Sequence, residues 1–398
     1  MDYSKIRSID DLGDIRGKRV LLRADFNVPL DGSRITSDRR IQAALPTIDW
    51  LIDKGARLVL CSHLGRPKGD GPEAEFTLAP VAARLGDLLG FKIPLLPDCV
   101  GEGVRAEVEA LGDGRAAMLE NLRFHKAEKK GDEAFGRELA ALADIYVNEA
   151  FGTCHRGDAS MTWPAKLLPH AAGMLVKREV DALSSVLTDP ARPCVAVLGG
   201  AKVSDKIPLV NNLLPHVQEI CLGGGMAYTF LKAQGAKIGK SLCEDERLEE
   251  AAAALQKARE LDVVVHLPSD HVCSTSIDEE SAHQVGDDIP DGEAAFDIGE
   301  KTARAFCDAI LRAKTILLNG PMGVFEKSRY GNGTRAVVSA IADATSAGAF
   351  SVVGGGDSAA AVDACDCADK MSHVSTGGGA SLTLLQGGSM PALDALGG

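Results

Sequence analysis

At 398 residues the chain is longer than one hydrophobic core usually organises, so two domains are expected. Its composition, 45% apolar and 25% charged, is that of a soluble globular enzyme, and a net charge of −13 with only 4% aromatic residues speaks against a nucleic-acid binder. No run approaches the roughly 18 to 20 apolar residues of a membrane span, and the N-terminus carries no signal-peptide pattern, so a cytoplasmic protein with no membrane partner is expected.

Short β-rich runs alternate with helical patterns along the chain. The expected strands are 19–25, 57–62, 92–96, 116–120 and 145–148 in the first half, then 194–198, 219–222, 263–267, 315–319 and 350–353 in the second. This rhythm predicts an α/β fold of two lobes, each a parallel Rossmann-like sheet covered by helices, facing across a cleft. Residues 1–172 form the expected N-terminal domain, 173–187 an interdomain helix, and 188–379 the C-terminal domain. Residues 380–398 are expected to pack back near the first domain. The joining helix stops at Thr188-Asp-Pro-Ala-Arg-Pro193, and a helical lever between lobes makes hinge closure the expected motion.

The strand ends differ between the halves. In the first they carry Arg23-Ala-Asp-Phe-Asn27, Ser62-His-Leu-Gly-Arg66, Glu120-Asn-Leu-Arg123 and Phe151-Gly-Thr-Cys-His-Arg156. In the second they carry Gly199-Gly-Ala-Lys202, Gly223-Gly-Gly225, Asn319-Gly-Pro-Met-Gly323 and Gly354-Gly-Gly-Asp357. Ligands of open α/β sheets bind beyond the carboxyl ends of the strands. Guanidinium forks suit a small anion, whereas glycines let backbone amides approach a polyphosphate or a planar base. The cations must be local, because residues 1–186 have a net charge of −2 and residues 187–398 of −11.

Other motifs fit less well. Gly235-Ala-Lys-Ile-Gly-Lys-Ser241 has three residues between its glycines where a phosphate loop needs four. Gly354 to Ala359 satisfies a loose dinucleotide fingerprint, but no Asp or Glu lies between Met371 and Pro391 to hold a ribose. His63 and His155 adjoin arginines rather than a paired nucleophile, which favours an anion-contacting or structural role. Cys365, Cys367 and His373 make an incomplete zinc set.

Six segments in order resemble the phosphoglycerate kinase family: Arg23-Ala-Asp-Phe-Asn-Val-Pro29, Ser62-His-Leu-Gly-Arg-Pro67, Leu198-Gly-Gly-Ala-Lys-Val-Ser-Asp-Lys206, Asn319-Gly-Pro-Met-Gly-Val-Phe-Glu326, Gly354-Gly-Gly-Asp-Ser358 and Ser375-Thr-Gly-Gly-Gly-Ala-Ser381. The resemblance implies reversible phosphoryl transfer between 1,3-bisphosphoglycerate and MgADP, giving 3-phosphoglycerate and MgATP, by a monomer. It places the glycerate on Asp25, Phe26, Asn27, His63, Leu64, Gly65, Arg66, Arg123 and Arg156, and the transferring group near Arg40, Lys202 and Lys206. Lys206, Glu326, Gly355, Gly356, Asp357 and Ser358 would take the nucleotide, with Mg2+ on Asp357. Glu149, Leu318 and Ala295 depart from the usual Asp, Trp and Gly, and the motif around His155 lacks a second histidine. An NAD-dependent dehydrogenase and a non-catalytic phospho-ligand binding protein stay open as alternatives.

Overall fold

The computed structural model describes residues 3–279 and 281–397. The chain divides into two compact units, one running to Asp181 and resuming at Ser389, the other Ala182–Gly388.

The first unit is built on five parallel strands in the order Ala116–Met118, Arg57–Cys61, Arg19–Ala24, Ile145–Glu149, His170–Ala172. All but the first residue of Arg19–Ala24 are buried, as expected of a central parallel strand covered on both faces. The helix Arg39–Asp53 covers one face and buries Ile41, Ala44, Ile48 and Leu51, at helical spacing, in a core shared with Val20, Leu22, Leu58 and Leu60.

The main sheet of the second unit has six parallel strands: Val264–His266, Glu219–Leu222, Cys194–Leu198, Thr315–Asn319, Phe350–Val353, His373–Val374. Numbered within each unit, both sheets run 3-2-1-4-5, and the second adds a sixth strand. This doubly wound order reverses direction at its first strand, where the crevice for a ligand opens. Phe306, Ile310, Val337 and Ile341, from the helices Glu300–Arg312 and Asn332–Ser346, pack with Val195, Ile316 and Val353 in its core.

Several elements differ from expectation. Residues 92–96 form only a bridge from Leu95 to Met118, because prolines at 94 and 97 lack the amide donors a strand needs. Before the helix Leu248–Glu260 the chain makes the 3-10 turn Asp245–Arg247. A three-stranded antiparallel sheet, His271–Ser274, His283–Val285 and Ala294–Ile298, lies outside the expected strands. Residues 380–388 lie with the second unit, where Leu385 O accepts from Asn212 Nδ2 at 2.8 Å and Gln386 Nε2 donates to Asp205 O at 3.0 Å. The returning segment starts at Ser389, and its helix Pro391–Ala395 is tied to the first unit through Ala392 N to Cys154 O and Tyr3 OH to Asp394 Oδ1. Among the described residues no helix is long and apolar enough to cross a membrane.

Candidate functional site

The carboxyl ends of strands 1 to 4 in the first unit surround a cleft of about 390 Å³ lined by Asn27, His63, Gly65, Arg66, Arg123, Lys129, Arg156 and Asp158. Its framework is hydrogen-bonded turn chemistry. The Asp25 carboxylate accepts from Asn27 N at 3.3 Å, and Asn27 Oδ1 accepts from Gly65 N at 2.8 Å. Asn121 caps the 3-10 turn Leu122–Phe124 by accepting from Arg123 N, while its amide donates to Leu64 O and Phe76 O. Arg123 Nη1 reaches Gly65 O at 2.8 Å, and its buried Nε has no hydrogen-bond partner among the described residues. Gly65 stands at φ +62°, and a Cβ there would fall 2.4 Å from the Phe76 ring. Only glycine allows this turn to close on Arg123.

Beneath the cleft lies a fully buried charge layer. Arg23 Nε donates to Ser160 Oγ at 2.9 Å, Nη2 meets His63 Nδ1 at 3.2 Å, and Nη1 bonds Ala24 O. Glu128 accepts from Ser160 Oγ at 2.6 Å and from Ser160 N at 2.9 Å. Burial, followed by the charges of Arg23, Arg123, Arg156 and Arg40, holds His63 well below the ordinary histidine pKa. It is therefore neutral at physiological pH. Arg40, at the start of the helix Arg39–Asp53, is more exposed and pairs with Asp25 at 2.7 Å.

In the second unit the strand-end turns press against one another through bare backbone. A Cβ on Gly320, at φ +105°, would lie 2.2 Å from Gly199 O. Gly355 precedes the helix Gly356–Ala364, whose first internal bond runs from Ala359 N to Gly355 O. The amides of Gly356, Asp357 and Ser358 therefore have no acceptor within the helix and form an anion-directed terminus. The Ser358 hydroxyl is buried, accepting from Gly320 N at 2.6 Å and donating to Gly354 O at 2.7 Å. Lys206 Nζ bonds the Asn319 side chain, whose amide in turn donates to Gly354 O. Burial lowers the Lys206 pKa, with Asp357 and Asp205 acting in the opposite sense.

Next to this terminus is a cleft of about 690 Å³ whose lining includes Gly200, Gly224, Leu242, Ala295, Glu326 and Asp357. Asp297 supports its wall by accepting from Ile298 N and Gly333 N, and burial raises its carboxyl to about 7. The exposed Asp357 carboxylate offers hard oxygen donors beside the phosphate-directed amides, so the residues present fit Mg2+ shared with a polyphosphate.

The expected residues thus divide by unit. Asn27, His63, Gly65, Arg66, Arg123 and Arg156 line the first cleft, with Asp25 and Arg40 paired through their side chains. Phe26 and Leu64 are core residues: Phe26 N bonds Ser62 Oγ, and both backbone polar groups of Leu64 are taken by Asn121. Glu326 and Asp357 line the second cleft, Lys206 and Ser358 bond the Asn319–Gly320 turn, and Lys202 is exposed. Nothing in the sequence singles out Lys129, Asp158, Glu128 or Ser160, and Arg23 stands in it only as part of a motif. An arginine in the apolar run Val20-Leu-Leu-Arg-Ala24 was the available signal.

Among the described residues the cluster of metal-ligating type is Asp98, Cys99 and His125, within 4.8 Å of one another. Asp98 Oδ1 already accepts from Cys99 N and His125 Nε2, both at 2.6 Å, and the buried Cys99 thiol donates to Glu120 O. The set is closed on itself without an ion.

Two doubly wound sheets, one ending in guanidinium groups and the other in glycine turns with a helix start, define a phosphoryl-transfer enzyme of two substrates. The sequence profile of the phosphoglycerate kinase family matches residues 9–388. The chain is 51% identical over 395 residues to phosphoglycerate kinase of Anaeromyxobacter dehalogenans strain 2CP-C, covering 98% of this chain and 99% of the relative. It is 50% identical over 385 residues to phosphoglycerate kinase of Moorella thermoacetica, covering 96% and 97%. The structure of phosphoglycerate kinase from Coxiella burnetii superposes with a TM-score of 0.92 at 43% identity, and that from Pyrococcus horikoshii with 0.79 at 31%, each covering 98% of both chains. The chain belongs to the phosphoglycerate kinase family, and it is a kinase; neither the dehydrogenase nor the non-catalytic binding alternative finds support in these relatives.

Proposed function

We propose that the first unit binds 3-phosphoglycerate or 1,3-bisphosphoglycerate and the second binds ADP or ATP with Mg2+, and that the phosphoryl group passes directly between them. The observation that carries this reading is the cleft ringed by His63, Arg66, Arg123 and Arg156, in which two or more donors can grip one phosphate. Asn27 lines the cleft and its amide nitrogen is bonded to Asp25, so Asp25 would accept from the glycerate hydroxyl and the Asn27 side-chain amide would donate to its carboxylate.

In the ATP-consuming direction a carboxylate oxygen of 3-phosphoglycerate forms the new bond to the γ-phosphorus. The bond from that phosphorus to the bridging oxygen breaks, and its electron pair stays with ADP. No proton is transferred, so no general base is needed, in keeping with a neutral His63 flanked by arginines. What remains is positioning and charge stabilisation of the equatorial oxygens. Arg40, released from Asp25, would supply charge from the first unit; Lys202, Lys206 and the amides of Gly355, Gly356 and Ser358 would supply it from the second. Mg2+ on Asp357 would neutralise developing phosphate charge, and Glu326 would accept from the ribose. Direct transfer needs the two bound substrates to meet, so hinge closure belongs to this reading.

The test is a coupled assay with 3-phosphoglycerate and MgATP, run beside thermal-shift titrations with MgADP and NAD. Turnover with stabilisation by MgADP alone is expected. Absence of turnover, or stabilisation by NAD, would contradict it.

A further inference from the structure

Arginine is a donor at every nitrogen and cannot accept a hydrogen bond. The contact of Arg23 Nη2 with His63 Nδ1 at 3.2 Å is therefore an attractive hydrogen bond only if that ring nitrogen carries a lone pair. A neutral histidine must then hold its proton on Nε2, the ring nitrogen left for the cleft that His63 lines. We propose that Arg23, held by Ser160 and Glu128, is a positioning residue that locks His63 as the Nε2–H tautomer, making it a neutral donor to the bound substrate phosphate. This rests on the assignment of the first cleft to the phosphoglycerate.

The geometry gives each member one task. Ser160 Oγ accepts from Arg23 Nε and donates its own hydrogen bond to Glu128 Oε1, so the hydroxyl has no rotational choice. The second Glu128 oxygen accepts from Ser160 N at the start of the helix Ala159–Leu167, where a negative charge is favoured. The Arg23 fork is fixed at a third point by Ala24 O. Arg23, Ser160 and Glu128 are all fully buried, so the carboxylate balances the guanidinium without reaching solvent.

A neutral donor has an advantage at this position. Arg23, Arg123, Arg156 and Arg40 already act on His63, and each disfavours a further positive charge. A locked Nε2–H adds a directed bond to the phosphate without adding to that repulsion. The opposite tautomer would turn a lone pair toward an anion.

The test is long-range 1H–15N correlation on the full chain with 15N-labelled histidine, assigned with His63→Gln, from pH 5.5 to 8. The expected His63 pattern is a lone-pair Nδ1 and a protonated Nε2 at every pH, with Nε2 shifting on addition of 3-phosphoglycerate. A protonated Nδ1, or titration near the ordinary histidine range, overturns the proposal in the wild-type protein, with no variant needing to fold. A locked tautomer with no response to 3-phosphoglycerate would instead overturn the site assignment. Ser160→Ala should mix the tautomers and raise KM for 3-phosphoglycerate about tenfold, the worth of one hydrogen bond, leaving KM for MgATP unchanged. Ser160→Thr, which keeps the hydroxyl, should restore both. Loss of stability in Ser160→Ala with the tautomer unchanged would show a packing role only and overturn the proposal.

Discussion

In the proposed function the two units solve the same problem, holding anionic oxygen at the ends of a 3-2-1-4-5 sheet, with opposite materials. In the first, charge sits on side chains and is fixed by burial: Arg23 and Arg123 are buried, and Asn121, Ser160 and Glu128 leave them little freedom. In the second, Lys202 and Asp357 are exposed, and the fixed elements are peptide groups brought together by glycine. Substitution should therefore act differently in the two. The first should be most sensitive to loss of charge or fork, with Gly65 its one backbone-critical turn; the second should tolerate changes of an exposed lysine better than a single added methyl.

Arg40 cuts across this contrast, because it is exposed yet belongs to the first unit. Arg40→Ala should lower kcat by about 10³-fold or more while changing the urea midpoint little, since an arginine acting on a transferring phosphoryl is worth that much. Near-normal kcat would remove it from the reaction.

Gly320→Ala tests the backbone half. A Cβ 2.2 Å from Gly199 O at φ +105° should cost roughly 3 kcal/mol in chemical denaturation and abolish stabilisation by MgADP, with 3-phosphoglycerate binding retained. Lys202→Ala should be milder in denaturation.

Arg123→Lys tests the side-chain half. The charge survives but the fork to Gly65 O and the ligand does not, so KM for 3-phosphoglycerate should rise about 30-fold, equivalent to roughly 2 kcal/mol, while KM for MgATP stays constant.

The effect expected on stability alone, with none on either KM, concerns Glu149 at the end of its strand. Its carboxylate accepts from Thr47 Oγ1 at 2.6 Å and from Leu175 N at the start of the helix Met174–Thr188. Burial raises its pKa to about 7, with those hydrogen bonds pulling the other way. A carboxyl raised on folding binds more protons in the native state, so its stabilising contribution is fully present below the unfolded pKa of 4.5 and is lost as pH rises through about 7. Glu149→Gln should therefore gain stability relative to wild type between pH 5 and pH 8, by up to about 3 kcal/mol. Denaturation midpoints of both proteins at the two pH values give the sign.

The sequence carried the strand ends well because apolar runs followed by Arg, His or Gly turns are local signals. It lost residues 92–96, where prolines deny the amides a ladder needs, and the antiparallel sheet around His271–Ser274, whose partner His283–Val285 is mostly exposed and has no apolar alternation. Glu128 illustrates the deeper limit. Within Lys126-Ala-Glu-Lys129 it reads as one charge on a solvated helix, and only the fold brings Ser160 and Arg23 to it. Phe26 and Leu64 show the reverse, motif residues whose place is the core.

The division of labour between the units is tested most directly by amide and side-chain chemical-shift mapping on the isotope-labelled full chain, with each ligand added alone. The account predicts that 3-phosphoglycerate perturbs Asn27, His63, Gly65 and Arg123 and leaves Gly355, Gly356 and Ser358 unchanged, and that MgADP does the reverse. Perturbation of the glycine turns by 3-phosphoglycerate, or of the arginine cleft by MgADP, would contradict it.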